Sequence, residues 1–254
     1  MLKVLVTGRG GSGKSTLVAL LARKLREEGG VLVVDTDESN MGLPVLLGLQ
    51  RPSLTLMEAL GGKDRIRERL KQFFKNEEVA FFEDGLTLEG LPREALSGSD
   101  GLWFVSVGKE EHAMEGCACP MGLLGRDFLK RFAGEGLWVL VDTEAGVEHF
   151  GRGLVSVVDV VLYVAEPALE SLLLLEKAKR MSEEAGKTFL VVANKVRGDL
   201  RGKFVEMLEG KGASPVAVIP YWEAIIMADL MGSSLQEVPE GVEDLVDALK
   251  GFRG

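Results

Sequence analysis

Short apolar runs alternate along the chain with longer amphipathic stretches, and this alternation predicts the architecture. The apolar runs contain few polar residues, which is typical of strands that are buried on both faces of a sheet. They lie at Lys3–Thr7, Val31–Asp35, Leu102–Val107, Leu137–Asp142, Val158–Ala165, Thr188–Asn194 and Pro215–Pro220. Helical periodicity covers Ser15–Glu28, Pro167–Ala185 and Leu200–Glu209. The pattern predicts an α/β fold, with a mostly parallel, twisted sheet of about seven or eight strands and helices on both faces.

The same pattern predicts how the chain is organised. We expect residues 1–254 to form a single domain with a variable insertion around 76–101. That stretch is acidic and rich in Gly and turn residues, which favours an insertion or a surface hairpin over a domain boundary. Right-handed crossovers between parallel strands place the loops that follow the strands on one edge of the sheet. We therefore expect the functional residues at the carboxyl ends of the strands.

Composition and charge exclude several classes of protein. The 254 residues include 30 Lys and Arg against 39 Asp and Glu, a net charge of −9, which argues against non-specific binding to nucleic acid. Hydrophobic residues make up 46%, enough for a sizeable core, and two cysteines cannot form a disulfide framework. The apolar region at Leu154–Leu175 is interrupted by charged residues and Pro167, so we expect no membrane span. We expect a cytoplasmic protein that does not bind membranes.

A glycine-rich loop follows the first predicted strand and leads into a helix. Its residues are Gly8, Arg9, Gly10, Gly11, Ser12, Gly13, Lys14, Ser15 and Thr16, a complete Walker A pattern in the required strand–loop–helix context. Glycines let successive backbone N–H groups converge on phosphates, and the helix N-terminus adds positive charge. We expect Lys14 to neutralise the β- and γ-phosphates and the Ser15 hydroxyl to bind Mg²⁺. A glycine-rich turn without a ligand is the alternative interpretation.

The residue at the second loop position links this loop to a class of dimeric enzymes. Arg9 cannot easily fold back onto its own nucleotide, but across a two-fold axis it can reach the phosphates of a partner. A solvated arginine is the other interpretation. The loop resembles that of the P-loop ATPases of the MinD and nitrogenase-iron-protein class, whose members usually carry a lysine here. The resemblance implies a homodimer in which Arg9 acts in trans, although arginine differs from lysine in its contact geometry.

Carboxylates follow two of the predicted strands. Asp35 and Asp37 end the second strand, and Asp142 ends a later one, four residues before Gly146. By resemblance to the same class, Asp37 orients or deprotonates the attacking water, Asp35 supports the metal shell, Asp142 is the Walker B carboxylate and Gly146 is a switch sensor. For any one of these acids, capping a helix is the alternative role.

The sixth predicted strand ends in Asn194, followed by Lys195, and this arrangement resembles the base-recognition turn of the same class. Asn194 has an amide that can donate and accept at once, which suits the edge of adenine. Val196 and Arg197 follow, and no Asp stands at the guanine-selective spacing, so ATP is favoured over GTP. Arg197 either stacks on the base or is solvated.

Both cysteines of the chain lie in one short segment, as Cys117 and Cys119. Two thiolates one residue apart can bind a soft or borderline metal, but two ligands do not complete a site. A symmetric dimer supplies the other two, giving four sulfur ligands across the two-fold axis. Inert buried thiols and a redox pair are the alternatives. Possible extra metal ligands are His112, His149, Met114 and Met121. An exposed position or a packing role explains the presence of these side chains equally well or better.

With the cysteine pair the resemblance narrows to the CooC family, the accessory ATPases of carbon monoxide dehydrogenase maturation. The matching segments are the loop at 8–16, Val34–Asp37, Cys117–Cys119 followed by Leu123–Gly125, Ala145–His149, Asn194–Arg197 and Ile219–Tyr221. The resemblance implies that ATP drives dimerisation and that the dimer builds a Ni²⁺ site, which Zn²⁺ can also occupy. Hydrolysis to ADP then opens the dimer and releases nickel into carbon monoxide dehydrogenase.

Two other functions are compatible with a P-loop ATPase of this kind. A MinD/ParA-like switch predicts a basic amphipathic helix at the C-terminus. Residues 239–250 have an apolar stripe but an acidic polar face, so we expect them to pack on the fold. An iron–sulfur carrier also uses cysteines shared between subunits, but such relatives space their cysteines differently.

Overall fold

A computed structural model describes residues 1–73, 80–108, 119–151, 153–235 and 237–253. The strands are β1 (Leu2–Gly8), β2 (Val31–Asp35), β3 (Leu96–Ser99), β4 (Leu102–Ser106), β5 (Trp138–Asp142), β6 (Val160–Ala165), β7 (Thr188–Val196) and β8 (Ala217–Pro220). The α-helices are α1 (Lys14–Leu25), α2 (Leu43–Leu46), α3 (Leu56–Ala59), α4 (Gly62–Phe73), α5 (Cys119–Arg131), α6 (Glu148–Gly151), α7 (Leu169–Glu184), α8 (Arg201–Glu209), α9 (Glu223–Leu230) and α10 (Val242–Lys250). All seven predicted strands and the three predicted helices are confirmed, with small shifts at their ends.

The strands form one eight-stranded sheet in the order β3-β4-β2-β5-β1-β6-β7-β8. Every neighbouring pair is parallel except β3 with β4. β3 lies inside the acidic stretch 76–101 and joins β4 through Asp100 and Gly101, which both have positive φ (53° and 85°). Such a pair of residues fits the tight turn of a hairpin. That this stretch is an insertion stays a prediction, and residues 76–79 lie outside the described part of the chain.

The core has two layers, one on each face of the sheet. Successive strand residues point to opposite faces, so Leu5 and Val141 pack in one layer while Val6 and Leu140 pack in the other. The first layer is completed by apolar side chains of α5 and α7, and the second by those of α1 and α10. Burial on both faces explains why the central strands are apolar throughout. Within the described residues, no helix is long and apolar enough to cross a membrane.

The strand register brings the predicted acids together. Asp35 on β2 and Asp142 on β5 are paired residues at the carboxyl ends of their strands. Asp142 is also paired with Val6, two residues before the glycine that ends β1. The phosphate loop and the two acids therefore meet at one edge of the sheet, as expected for parallel strands.

Candidate functional site

The phosphate loop joins β1 to α1 in a conformation that depends on glycine. Gly11 and Gly13 have φ of 78° and 93°, in the left-handed region that favours glycine. A Cβ on Gly13 would also lie 2.6 Å from Asn194 Nδ2. The backbone N–H of Leu17 donates to the Gly13 carbonyl at 2.9 Å, so α1 begins directly after the loop and directs its N-terminus at the site.

Lys14 is buried at the start of α1, and its Nζ donates to the carbonyl of Arg9 at 3.3 Å. Burial lowers the pKa of Lys14, while Asp142, Asp37 and other carboxylates oppose that shift. A partly desolvated ammonium beside the loop is suited to pair with phosphate oxygens, since its charge is poorly screened there.

Ser15 and Asp142 are held together by a hydrogen bond and share a third partner. The Ser15 hydroxyl donates to Asp142 Oδ2 at 2.6 Å, and Asn40 Nδ2 donates to both Ser15 Oγ and Asp142 Oδ2 at 2.9 Å. Burial raises the pKa of Asp142 to about 6, although Ser15, Lys14 and Asn40 lower it. Asp142 Oδ1 is buried and has no hydrogen-bond partner among the described residues. A hydroxyl beside a buried carboxylate with an unused oxygen is a donor set that fits Mg²⁺.

The other two predicted acids occupy different positions. Asp35 is fully buried, and its Oδ1 accepts the backbone N–H of Asp37 at 3.0 Å. Asp37 lines the larger cavity described below, and its Oδ1 accepts both the backbone N–H and the hydroxyl of Ser39. Thr36 lies between them and donates its N–H and hydroxyl to the Asp142 carbonyl at 2.9 and 2.7 Å. The segment after β2 is therefore fastened to the end of β5.

Gly146 is attached to the end of the first strand. Its N–H donates to the Gly8 carbonyl at 3.1 Å, and its carbonyl accepts the Thr7 hydroxyl at 3.1 Å. A Cβ on Gly10 would lie 3.4 Å from the side chain of Ala145. The predicted sensor segment is thus in contact with the phosphate loop.

Two cavities meet at the loop. One, of about 650 Å³, is lined by Gly10, Gly11, Gly13, Lys14, Ser15, Thr16, Asp37, Glu38, Ser39, Glu144, Ala145 and Lys195. The other, of about 210 Å³, is mostly apolar, and Asn194, Tyr221, Trp222 and Ile225 contribute to its walls. Gly13, Thr16 and Lys195 border both. A polar cavity that continues into an apolar one matches a molecule with phosphates at one end and a flat ring at the other.

The end of β7 holds the phosphate loop. Asn194 is almost fully buried, and its Nδ2 donates to the Ser12 carbonyl at 2.8 Å. Lys195 has φ of 57°, and its Nζ donates to the Gly11 carbonyl at 2.5 Å. Asn194 thus borders the apolar cavity, as adenine recognition requires, but one of its amide protons is bonded to the loop. The Arg197 guanidinium lies 5.1 Å from the centre of the Tyr221 ring.

Arg9 forms two ion pairs within its own chain. Its Nη1 donates to Glu166 at 2.6 Å and its Nε to Glu170 at 2.6 Å. These pairs raise the pKa of the guanidinium. The arginine side chain is 38% exposed and pairs with acids at the start of α7 and just before it. To bind a different group, its guanidinium must leave these carboxylates.

The cysteine segment is described only in part. Cys117, His112 and Met114 lie outside the described residues, and Cys119 is the first residue of α5. His149 is buried against the ring of Phe150, and Met121 is buried in the core, which agrees with packing roles for both. Within the described ranges, no cluster of three or more His, Cys, Asp or Glu side chains forms a metal centre. The shared-cysteine metal site stays a prediction.

Helix α5 contacts the nucleotide site. A Cβ on Gly125 would lie 3.6 Å from Thr36 Cγ2 and 3.5 Å from Val107 Cγ2. Gly125 is six residues after Cys119, about 9 Å along the helix. The helix that carries a cysteine therefore packs directly on the segment between Asp35 and Asp37.

Several site residues escaped the sequence analysis. Asn40 and Trp222 carry no motif of their own, and Glu166 and Glu170 are ordinary acids next to a helix start. Lys195 lies in the matching segment Asn194–Arg197, but no role was predicted for its side chain. Asn40 had one usable signal, as a polar side chain in the run that follows the strand-ending acids.

Comparison with known proteins agrees with this geometry. The family model described as the CobQ/CobB/MinD/ParA nucleotide binding domain matches residues 3–235. An uncharacterized ATP-binding protein of Methanocaldococcus jannaschii is 37% identical over 98% of this chain and 99% of its own. The carbon monoxide dehydrogenase accessory protein CooC of Rhodospirillum rubrum is 31% identical over 98% of this chain and 94% of its own.

Solved structures share the fold. The septum site-determining protein MinD of Pyrococcus horikoshii, complexed with Mg-ADP, superposes with a TM-score of 0.68 and covers 100% of this chain and 97% of its own. MinD of Aquifex aeolicus gives 0.66, with 99% and 97% covered. Sequence identity is 17% and 19%, so these likenesses establish a P-loop NTPase fold and nothing finer.

Proposed function

The chain belongs to the CobQ/CobB/MinD/ParA nucleotide-binding family and is an ATPase, and from that premise we propose that it is an ATP-dependent nickel chaperone. In this proposal Cys117 and Cys119 of two protomers bind Ni²⁺ in a nucleotide-controlled homodimer. The protein delivers the metal during maturation of carbon monoxide dehydrogenase. The relative from Rhodospirillum rubrum supports the choice of client, because it is similar along almost the whole chain.

The hydrolytic roles follow from the larger cavity. The backbone N–H groups of residues 10–16 and the Lys14 ammonium hold the phosphates. Ser15 and Asp142 hold Mg²⁺, with Asp35 behind Asp142 in the neighbouring strand. Mg²⁺, when bound with the nucleotide, supplies positive charge to the phosphate oxygens. Asp37 orients the attacking water, because it is the acid of this group that lines the cavity without being fully buried.

Arg9 acts between protomers in this proposal. Its ion pairs with Glu166 and Glu170 hold it on its own chain, and dimerisation on ATP exchanges these partners for the phosphates across the two-fold axis. Ion pairs at the surface are screened by water and salt, so their exchange for a charge-assisted contact with a phosphate is favourable.

The adenine ring occupies the apolar cavity between Asn194, Tyr221 and Trp222. Aromatic walls favour stacking with a flat base, and the Asn194 amide provides polar atoms at the edge.

The contact between Gly125 and Thr36 connects the ATP site to the helix that begins at Cys119. Gly125 of α5 packs on Thr36, and Thr36 donates twice to the Asp142 carbonyl. A change at Asp37 or Asp142 on binding and hydrolysis is therefore passed to the helix that begins at Cys119. Helices move as rigid bodies over such distances, so the position of the cysteine depends on the nucleotide.

A MinD/ParA-like switch is the second candidate, because the solved structures of similar fold include MinD. The packing of helix α10 supports the first candidate. α10 buries Val242, Leu245, Val246 and Leu249 against the fold, which confirms the prediction that this stretch packs on the protein.

Ni²⁺ titration of the reduced protein tests the proposal. The amount of bound Ni²⁺ and the mass of the protein are measured with and without a non-hydrolysable ATP analogue. We expect one Ni²⁺ per two chains, a thiolate-to-metal charge-transfer band, and tighter Ni²⁺ binding with the analogue. Both the band and the stoichiometry should disappear in Cys117→Ala. Broad visible absorbance with bound iron in the isolated protein would instead identify an iron–sulfur carrier.

Lys14→Ala is the matched control, since it keeps both cysteines. It should retain metal binding but lose the response to nucleotide. Binding of one Ni²⁺ per single chain, or none, would contradict the bridged dimer, and Zn²⁺ competition then measures which metal the thiolates prefer.

A further inference from the structure

Glu144 is a carboxylate of the larger cavity to which the proposed function gives no role. It lines that cavity together with Lys14 and Asp37, and the residue is partly buried. Burial lowers the pKa of Lys14, and the charges of Asp37 and Glu144 are among those that oppose this shift. Both carboxylates therefore lie near the ammonium that holds the phosphates.

The register of the sheet places Glu144 beside Asp37. Asp35 on β2 is paired with Asp142 on β5. Asp37 and Glu144 each lie two residues beyond one of these paired positions. Because β2 and β5 are parallel neighbours, the two segments leave the same edge of the sheet side by side. Two separate strand ends thus contribute a carboxylate to the wall of one cavity.

Contacts on both sides of Glu144 attach its backbone to β1. The hydroxyl of Thr143 donates to the Val6 carbonyl at 2.7 Å. The N–H of Gly146 donates to the Gly8 carbonyl at 3.1 Å. Since β1 leads directly into the phosphate loop, Glu144 is held in place relative to that loop. Catalytic side chains need such support, because a small displacement costs much of the rate.

A water molecule that attacks a phosphate is oriented when both of its hydrogens have acceptors, since a lone pair of its oxygen then points at the phosphorus. Asp37 has limited capacity for this task. Its Oδ1 already accepts the backbone N–H and the hydroxyl of Ser39, at 2.9 and 2.7 Å, and a carboxylate oxygen has two lone pairs. A second carboxylate on the neighbouring segment supplies the second acceptor.

We propose that Glu144 is a second catalytic residue of ATP hydrolysis, which together with Asp37 accepts the two hydrogens of the attacking water. The water oxygen bonds to the γ-phosphorus while the bond from that phosphorus to the bridging oxygen of ADP breaks. One proton stays on the oxygen that came from water, and the other passes through one of the two carboxylates to a further oxygen of the same phosphate. The inference rests on the proposed function, because that function places the γ-phosphate in the larger cavity.

The rate of ATP hydrolysis by Glu144→Gln, measured over a range of ATP concentrations with Mg²⁺, tests this role. We expect kcat to fall on the order of 100-fold, because an amide cannot take up the proton. KM should not rise, since the neutral amide does not repel the γ-phosphate. The Kd of ADP should be unchanged, and that of a non-hydrolysable ATP analogue should not increase. A merely structural role would instead weaken the binding of both nucleotides.

Glu148→Gln is the matched control from the same segment. Glu148 is exposed at the start of α6, and its carboxylate accepts the backbone N–H of Val147 at 3.0 Å. The carbonyl oxygen of glutamine accepts the same bond. Both kcat and KM of this variant should equal those of the unmodified protein.

A double variant tests whether the two acids act on one water. If they do, Asp37→Asn combined with Glu144→Gln should lower kcat by less than the product of the two single effects, because either change alone already disorients the water. Single effects that multiply in full would show that the two side chains act independently, and the shared water would be wrong.

Two results overturn the role of Glu144 itself. One is an unchanged kcat in Glu144→Gln, and the other is a lower kcat with equally weakened binding of ADP and the ATP analogue. If thermal melting shows that Glu144→Gln is unfolded, Glu144→Asp replaces it. That variant keeps the charge on a side chain one methylene shorter, so kcat must fall while the Kd of ADP stays the same, and an unchanged kcat overturns the inference.

The unmodified protein separates this inference from the proposed function. If it does not hydrolyse ATP, or if Lys14→Ala hydrolyses ATP equally fast, the hydrolytic part of the proposed function fails. If hydrolysis depends on Lys14 but is as fast in Glu144→Gln as in the unmodified protein, only the role of Glu144 is wrong.

Discussion

At the scale of single residues, the buried carboxylate of Asp142 lowers the stability of the folded protein at neutral pH. Burial raises its pKa to about 6 from the ordinary value of 3.8. Below about pH 4 the carboxyl is protonated in both the folded and the unfolded protein, and no penalty arises. As the pH rises from about 4 to 6, the unfolded chain loses the proton first, so folded stability declines. Above pH 6 the full penalty remains.

Asp142→Asn should therefore stabilise the protein in EDTA without nucleotide. At pH 7 we expect a gain on the order of 2–3 kcal/mol in the free energy of unfolding, which shrinks toward zero as the pH falls from 6 to 4. Thermal and denaturant unfolding between pH 4 and 8 measure it. ATP hydrolysis should be lost, because Asp142 holds the metal.

Asp159→Asn is the control, since Asp159 is exposed and its carboxylate accepts the backbone N–H of Lys3 at 2.7 Å. It should not reproduce the gain at pH 7. A lower stability of Asp142→Asn at pH 7, or a difference that does not change with pH, would show that burial of the charge is not the dominant effect.

Residues with a local pattern could be predicted from the sequence, and residues defined by distant partners could not. Lys14 and Ser15 belong to a loop whose spacing fixes its conformation. Asn40 is different, because its role depends on Asp142, 102 positions away. The bonds of Arg9 to Glu166 and Glu170 also cross more than 150 positions, so the sequence predicted the charge but not its partners.

At the scale of elements, the end of β7 holds the phosphate loop, and this conflicts with a purely base-reading role for Asn194. Asn194→Ala removes the bond from Nδ2 to the Ser12 carbonyl. If holding the loop is the main role, ADP and GDP should both bind roughly five- to tenfold more weakly, since one buried hydrogen bond is lost. Competition binding with both nucleotides measures this.

Selective loss of ADP binding would instead identify Asn194 as the residue that reads adenine. Ser233→Ala provides a control at an exposed hydroxyl that donates to the Ala228 carbonyl. It should change neither nucleotide affinity.

The contact between α5 and Thr36 makes a second prediction at this scale. A Cβ at position 125 meets its neighbours at ordinary contact distances of 3.5–3.6 Å, so Gly125→Ala should fold normally and be slightly more stable, because alanine favours helix. Gly125→Val adds two methyl groups that the contact cannot accommodate. We expect a loss of about 1–3 kcal/mol and a weaker response of Ni²⁺ binding to the ATP analogue.

Both variants lack the glycine, but only Gly125→Val disturbs the packing against Thr36. A difference between them therefore reports the effect of packing. Metal titrations with and without the analogue, at a temperature where both variants are folded, provide the measurement. An undiminished response in Gly125→Val would mean that the nucleotide signal reaches the cysteines by another route.

Strands could be predicted from the sequence where burial on both faces makes every residue apolar. Seven strands were predicted because both of their faces are apolar. β3 was not, since Leu96-Ser97-Gly98-Ser99 has neither an apolar run nor a clear alternation. It forms because the turn at Asp100 and Gly101 folds it back on β4, a cause that lies outside the strand.

At the scale of the whole molecule, the order of strands brings the site together. β1 lies between β5 and β6, so the phosphate loop emerges beside both Asp142 and the start of α7, which carries Glu170. The sequence predicted a parallel sheet with its chemistry at one edge. It did not predict the strand order, because apolar strands of similar length carry little information about their neighbours.

At the scale of the whole molecule, helix α10 makes a prediction that differs between the two candidate functions. The apolar side of α10 is buried, and its exposed side carries Glu243, Asp244 and Asp247. Insertion into a bilayer would require α10 to leave the core, where burial of each large apolar side chain contributes about 1.5–3 kcal/mol. Anionic lipid would also repel its acids. We therefore expect no co-sedimentation with anionic vesicles in Mg-ATP, measured at low and physiological salt.

A charge-reversed variant shows which of these two factors dominates. Asp244→Lys combined with Asp247→Lys removes the repulsion but leaves the buried residues in place, since both acids are exposed. If burial of the apolar side is decisive, the variant should bind vesicles only weakly and lose that binding as salt screens the charges. ATP-dependent sedimentation of the unmodified protein would contradict the expectation and favour the MinD/ParA-like function.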